Sequence, residues 1–256
     1  MSFFEGPHGR VPYRFWPARR PLAGFIFLHG GGDDSHRYHR LAMMLNERQI
    51  SVLATNGLGE NLRRSPRAGL SSLDVLVGNL GSLAALAAGQ LPGTPLVVGG
   101  HSLGGTTAAL AVVRDADPFA GLVLSGAPLA PLRRIAVLAQ DDPVSLDLSY
   151  LYAVNGGPAG LARSVPVVEV KALNEAWAEL AERFEKVRLP VLFVHGGNDA
   201  LVPITDNRAW AARLHQGHLA WFPRARHDVL NASGHLRSAT AVADFVLSVA
   251  LSRAVA

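Results

Sequence analysis

The chain has 256 residues and a formal net charge of +4, with 49% hydrophobic and 17% charged residues. That balance belongs to a globular protein with a full core, and no window approaches the roughly eighteen consecutive apolar residues that a membrane span requires. There is no cysteine, which excludes disulfides, thiolate nucleophiles and thiolate metal sites.

All basic residues except Lys171 and Lys186 are arginine, and their small clusters (Arg19-Arg20, Arg63-Arg64, Arg133-Arg134, Arg224/Arg226) fall in unrelated segments. A nucleic-acid footprint needs one basic face with stacking aromatics, so no nucleic-acid partner is expected. Met1 to Arg10 carries Glu5, Pro7 and His8 and lacks the apolar core of a signal peptide, so a cytoplasmic location is expected. The length suits one α/β domain over residues 1–256.

The predicted elements begin with Phe3-Phe4 and Val11 to Trp16, alternating around a Gly/Pro turn as an antiparallel edge hairpin. Phe25 to Leu28 is a short apolar strand ending in His29-Gly30-Gly31-Gly32, where the backbone is unusually free and suited to an oxyanion hole. Ser35 is the expected N-cap of a helix with Tyr38, Leu41, Met44 and Leu45 on one stripe. Ser51 to Thr55 is a further buried strand, and Ser71 with Asp74 marks the start of a helix carrying Leu73, Leu76, Val77, Leu80, Leu83 and Ala84.

Pro95 to Gly99 then runs as a strand into Gly100-His101-Ser102-Leu103-Gly104, followed at once by an Ala-rich helix that ends before Asp117-Pro118. Strand, sharp turn, helix is the setting in which a serine at the turn is strained and points outward, at a helix N-terminus that favours developing negative charge. Gly121 to Ser125 is the next strand. Residues 126–186 break the rhythm with five prolines and short apolar patches, and read as a lid inserted between two sheet strands. Leu173, Trp177, Leu180 and Phe184 form a helical stripe leading back to the strand Pro190–Val194, which ends in His195-Gly196-Gly197-Asn198-Asp199. A last strand (His218 to Phe222) and a helix with Val242, Phe245, Val246 and Val249 close the chain. Strands alternating with helices imply right-handed crossovers and a mostly parallel sheet with helices on both faces.

Four loops at the carboxyl ends of these strands carry groups suited to acyl transfer: Gly30 to Gly32, Ser102, Asp199 and His227. Open parallel sheets gather functional groups at that edge, so residues far apart in sequence can converge there. A serine hydroxyl needs a neutral imidazole to take its proton, and the imidazole needs a carboxylate to hold its tautomer. His227 is preferred over His195, His215, His218 and His235 because it lies just past the last predicted strand. His36 and His39 share a helix face without a carboxylate-rich partner pattern, and neither a metal nor a cofactor is expected. Gly30-Gly31-Gly32 lacks the spacing of a dinucleotide loop.

The chain resembles an α/β-hydrolase, and within that superfamily the monoacylglycerol lipase-like, serine aminopeptidase S33-type group, over nearly its whole length. The resemblance rests on Phe4-Glu5-Gly6 with Trp16-Pro17, His29 to Tyr38, the Ser102 turn, His195 to Asp199 with Val202-Pro203, and His227-Asp228-Val229-Leu230-Asn231. It implies Ser102 as nucleophile, Asp199 as acid, His227 as base, and the backbone N–H groups of Gly31 and Leu103 as oxyanion donors. It further implies a serine esterase or lipase that cleaves a lipid-like carboxylic ester of an apolar acyl chain through an acyl-enzyme. The chain departs from the group at Asn56 to Asn61, where an Asp and a Gly-His-Gly-x-Ser run usually stand, and in its lid, which lacks the group's Tyr and Asp-Pro signature. A peptide, lactone or thioester substrate therefore stays open, with Asp141, Asp142 and Glu169 available to hold a terminal amine, as does a binding module with little turnover. The lid residues Leu129, Leu132, Ile135, Leu138, Tyr150 and Tyr152 either line an acyl pocket or pack the lid onto the sheet.

Overall fold

The computed structural model describes residues 2–31, 33–56, 73–131 and 170–255. Strands β1 (Ser2–Gly6) and β2 (Gly9–Trp16) form the expected hairpin, turning at Pro7-His8 and pairing antiparallel from Ser2↔Tyr13 to Gly6↔Gly9. β3 (Ala23–Leu28), β4 (Ile50–Thr55), β5 (Leu96–His101), β6 (Gly121–Ser125), β7 (Val191–Gly196) and β8 (Gly217–Phe222) complete an eight-stranded sheet. Its order is β1-β2-β4-β3-β5-β6-β7-β8, antiparallel through β2/β4 and parallel from β4 onward. The expected mostly parallel α/β sheet is present.

Strands β3 to β7 are buried at every position because both of their faces are covered, and alternation sends successive side chains to opposite cores. Ile26, Leu28, Val98, Leu122, Leu124 and Phe193 join one core with helices α2 (Asp74–Gln90), α3 (Leu103–Arg114), α4 (Val170–Arg183) and α5 (Ile204–Arg213). Phe25, Phe27, Val97, Val123 and Val194 join the other with α1 (His39–Glu47) and α6 (His235–Val255). No helix among the described residues is long and apolar enough to cross a membrane.

One helix start differs from expectation. Ser35 opens a 3-10 turn (Ser35–Tyr38) whose cap is Asp34, with the Asp34 carboxylate accepting the His36 N–H at 2.6 Å. Ser35 is instead buried, its N–H donating to Asn56 Oδ1 at 2.8 Å and tying this turn to the end of β4. Helix α2 begins at Asp74 after Leu73 with no side-chain cap, and Ser71 lies outside the described residues. So do residues 132–169, the larger part of the 126–186 insertion, and with them Leu132, Ile135, Leu138, Asp141, Asp142, Tyr150, Tyr152 and Glu169. At the far flank of that insertion, α4 and a 3-10 turn (Phe184–Lys186) bury Trp177, Leu180 and Phe184 in the α2–α5 core, and the Trp177 indole N–H donates to Pro128 O at 3.0 Å.

The chain order positions the site. After β3 the sheet grows to one side with β4, and β5 then returns to the other side of β3, with Leu28 in register with Gly100. Adjacent loops diverge at such a reversal and leave a crevice at the carboxyl ends of the strands. The loops after β3 and β5 flank it.

Candidate active site

Ser102 stands between β5 and α3 with φ 52° and ψ −123°, a left-handed conformation that an L side chain rarely adopts. The turn is tight enough that small residues on both sides are compulsory: a Cβ on Gly100 would lie 2.3 Å from the Gly104 carbonyl carbon, and one on Gly104 would lie 2.3 Å from Leu28 O. The first turn of α3 thus packs directly on the end of β3. The Ser102 N–H donates to Ser125 O at 2.8 Å, fixing the turn to β6.

The glycine loop after β3 passes against this serine, since a Cβ on Gly30 would sit 3.4 Å from Ser102 Cβ and 3.1 Å from His101 Cδ2. Gly31 lies in this loop and Leu103 is the first residue of α3. Among the described residues neither N–H is taken up by a hydrogen bond.

Asp199 and His227 come together from loops after β7 and β8. The His227 Nδ1–H donates to Asp199 Oδ2 at 2.8 Å, with the carboxylate fully buried and the imidazole nearly so. The other oxygen, Oδ1, accepts the N–H groups of Leu201 and Val202, both at 2.9 Å. Burial on its own would raise the Asp199 pKa, but the His227 charge, donors from His195 and His227 and the Val202 N–H outweigh it and hold the carboxyl below its usual range. With Nδ1 committed to the carboxylate, a neutral His227 keeps its lone pair on Nε2, the form required of a general base.

His227 also reaches the serine turn. A Cβ on Gly126 would lie 3.2 Å from His227 Nδ1, and the His101 and His227 rings are 4.7 Å apart. Among the described residues Ser102 Oγ makes no hydrogen bond to His227, a link that in unliganded sites often forms only with substrate. Of the expected site residues, then, Asp199 and His227 are directly bonded, Ser102 and Leu103 adjoin at the neighbouring turn, and Gly31 follows Gly30, which passes against Ser102. His36 and His39 join no cluster of three metal-ligating groups among the described residues. His39 Nδ1 accepts the Trp16 indole N–H at 3.1 Å. A cavity of about 330 Å³ between the end of α3 and residues 183–189 lies at the amino-terminal ends of the strands, away from these loops.

His101, next to Ser102, is buried, and burial first, then the nearby His227 charge, lowers its pKa to about 3. His29 is lowered by burial to about 4. Imidazoles that stay neutral in the fold but take a proton in the unfolded chain make the unfolded chain the better proton binder below the ordinary histidine value of 6.5. The stability they contribute is complete above that value and is lost as the pH falls toward 4 and 3. The thermal midpoint is expected to drop on the order of 5–10 °C between neutral pH and about pH 4.5. His101→Gln should flatten that dependence, as read by thermal melts across the range.

A buried ionic brace stands among these loops that the catalytic motifs of the sequence do not announce. Arg37 pairs with Asp33, just past the glycine loop, and with Asp228 Oδ2 at 2.5 Å, just past His227. Tyr38 OH donates to Asp33 Oδ2 at 3.0 Å, and Asn231 Nδ2 to Asp228 Oδ1 at 3.0 Å. The guanidinium thus ties the two loops that flank Ser102. The available signal was an arginine directly before the apolar Tyr38 stripe, which demands buried partners. Arg37→Met strands two buried carboxylates and is expected to cost about 3–5 kcal/mol of stability, measured by urea denaturation.

Comparison with known proteins matches residues 19–141 and 161–233 to the family described as serine aminopeptidase, S33. A monoacylglycerol lipase of Mycolicibacterium smegmatis is 26% identical over 255 residues, covering 89% of this chain and 90% of that one. Among solved structures, a lipase in its open form aligns with a TM-score of 0.78 at 21% identity over 97% of this chain and 98% of that one. A soluble variant of monoglyceride lipase from Saccharomyces cerevisiae, in complex with a substrate analogue, aligns with a TM-score of 0.77 at 16% identity over 96% and 94%. At these identities the structural likeness concerns the α/β-hydrolase fold.

Proposed function

The chain belongs to the serine aminopeptidase S33 family of α/β-hydrolases, and from that premise we propose that it is a serine hydrolase cleaving the carboxylic ester of an apolar acyl chain through an acyl-enzyme. Ser102 Oγ attacks the ester carbonyl while His227 Nε2 takes its proton. The Gly31 and Leu103 N–H groups receive the charge that develops on the carbonyl oxygen. His227 returns the proton to the departing alcohol, and a water, activated by the same imidazole, then releases the acid from Ser102. Asp199 holds the imidazole in the required tautomer throughout.

The observation that carries this reading is the 2.8 Å bond between His227 Nδ1 and buried Asp199, in loops that border the strained Ser102 turn. The ester preference is supported by the Mycolicibacterium smegmatis relative, a monoacylglycerol lipase. The apolar chain is supported by the apolar patches within residues 126–186. A fluorophosphonate probe should label Ser102, and p-nitrophenyl esters should turn over faster than aminoacyl amides across a series of acyl lengths. Absence of labelling in folded protein overturns the mechanism. Faster turnover of the amides overturns the ester assignment.

A further inference from the structure

Beside the Asp199 oxygen that accepts from His227 stands a fully buried histidine that the proposed mechanism does not use. His195 is the fifth residue of β7, and its Nε2 lies 2.9 Å from Val202 O and 3.3 Å from Asp199 Oδ2. Its Nδ1 lies 2.9 Å from Nδ2 of Asn207, a residue of α5 that is also fully buried. Val202 O can only accept, so His195 carries its proton on Nε2. A neutral ring then has only a lone pair on Nδ1, and the Asn207 amide N–H supplies the matching donor. Asn207 therefore selects the His195 tautomer.

The result is a closed clasp. Val202 offers its N–H to Asp199 Oδ1 and its carbonyl to His195, while the same His195 N–H leans on Asp199 Oδ2. We infer that His195, oriented by Asn207, is a positioning residue that aims the Asp199 carboxylate at His227 and shares its charge. Space filling alone would not need a donor there, nor a second buried amide to orient it. The other titratable groups around this cluster are His227 with His101 on its ring, Asp228 held by Arg37, Asp206 on α5, and Arg226 in the loop before His227. This inference rests on the catalytic reading above, and its test separates the two.

The test uses His195→Leu, which removes the donor at similar volume, and His195→Gln, which places an amide N–H near the former Nε2. Both are assayed for kcat and KM on a p-nitrophenyl ester over the pH range, with thermal melts to confirm folding. His195→Leu is expected to lower kcat about tenfold to a hundredfold with KM little changed. Asp199, relieved of one donor, then binds the His227 imidazolium more strongly, so the acid limb of kcat/KM moves up by about 0.5–1 pH unit. His195→Gln should stay near the parent in both respects. A folded His195→Leu protein with unchanged kcat and acid limb overturns the inference, and so does a His195→Gln protein that falls as far as His195→Leu. Should His195→Leu fail to fold, Asn207→Asp decides: its carboxylate would hold His195 as a cation beside Asp199 and move the acid limb down, and an unmoved limb overturns the inference. Ser102→Ala is run alongside. Activity surviving there overturns the catalytic reading and this inference with it, whereas its loss there without any change in His195→Leu overturns this inference alone.

Discussion

Ser102→Ala is expected to lower kcat for ester hydrolysis by roughly a millionfold, to the level supported by binding and the oxyanion donors alone. The loss is so large because no other group can replace the hydroxyl: the chain has no cysteine, and the neighbouring Ser125 is fully buried with its Oγ 3.3 Å from His101 Nδ1. Stability should change little or rise, because alanine removes only one partly exposed oxygen from a turn whose positive φ is imposed by packing of Gly100, Gly104 and Leu28. Turnover of p-nitrophenyl esters together with a thermal melt checks both halves. A folded variant within tenfold of the parent rate would rule out Ser102 as the attacking group.

Asp199→Asn is expected to cost about ten-thousandfold in kcat while leaving the fold intact. The direction follows from the donors already in place. The N–H groups of Leu201 and Val202 both point at the position of Oδ1, so the asparagine carbonyl oxygen must sit there. Its amide N–H₂ is then forced toward His227 Nδ1, where it meets a donor with a donor. His227 relieves the clash by moving its proton to Nε2, the atom that accepts the serine proton in the proposed mechanism. The same amide faces the His195 N–H, which adds to the misfit. Residual activity should rise with pH as hydroxide replaces the missing base, and a pH–rate profile of the variant measures it. A flat profile with near-parent kcat would show that the carboxylate does not govern the tautomer.

Local signals were enough for much of the architecture. The runs Phe25 to Leu28 and Val191 to Val194 are apolar in every position because helices cover both faces of the sheet, and such runs are legible without coordinates. The Gly100-to-Gly104 turn was legible for a related reason: a serine there reaches positive φ only if the flanking backbones can close on each other. Capping was less legible. Asp34 and Ser35 are both good caps, and Asp34 prevails because Ser35 is drawn inward to Asn56, a contact between segments twenty-one residues apart. Arg37 and His195 were present in the motifs read, yet their partners Asp228 and Asn207 come from other elements, so nothing nearby in the chain announced their roles.

Residue order by itself determined that the chain forms a mostly parallel sheet, that a strained serine stands at one strand's end, and that a carboxylate and an imidazole follow on later loops. These depend on periodicity, steric limits on backbone and the order of chemical groups, all local properties. Only the tertiary structure decided which histidine Asp199 holds, which histidine stands next to it, and that one arginine joins the two loops beside the serine. Those pairings arise where loops from separate strands meet at a single edge, and burial there leaves each charge or N–H no alternative to the partner the fold brings to it.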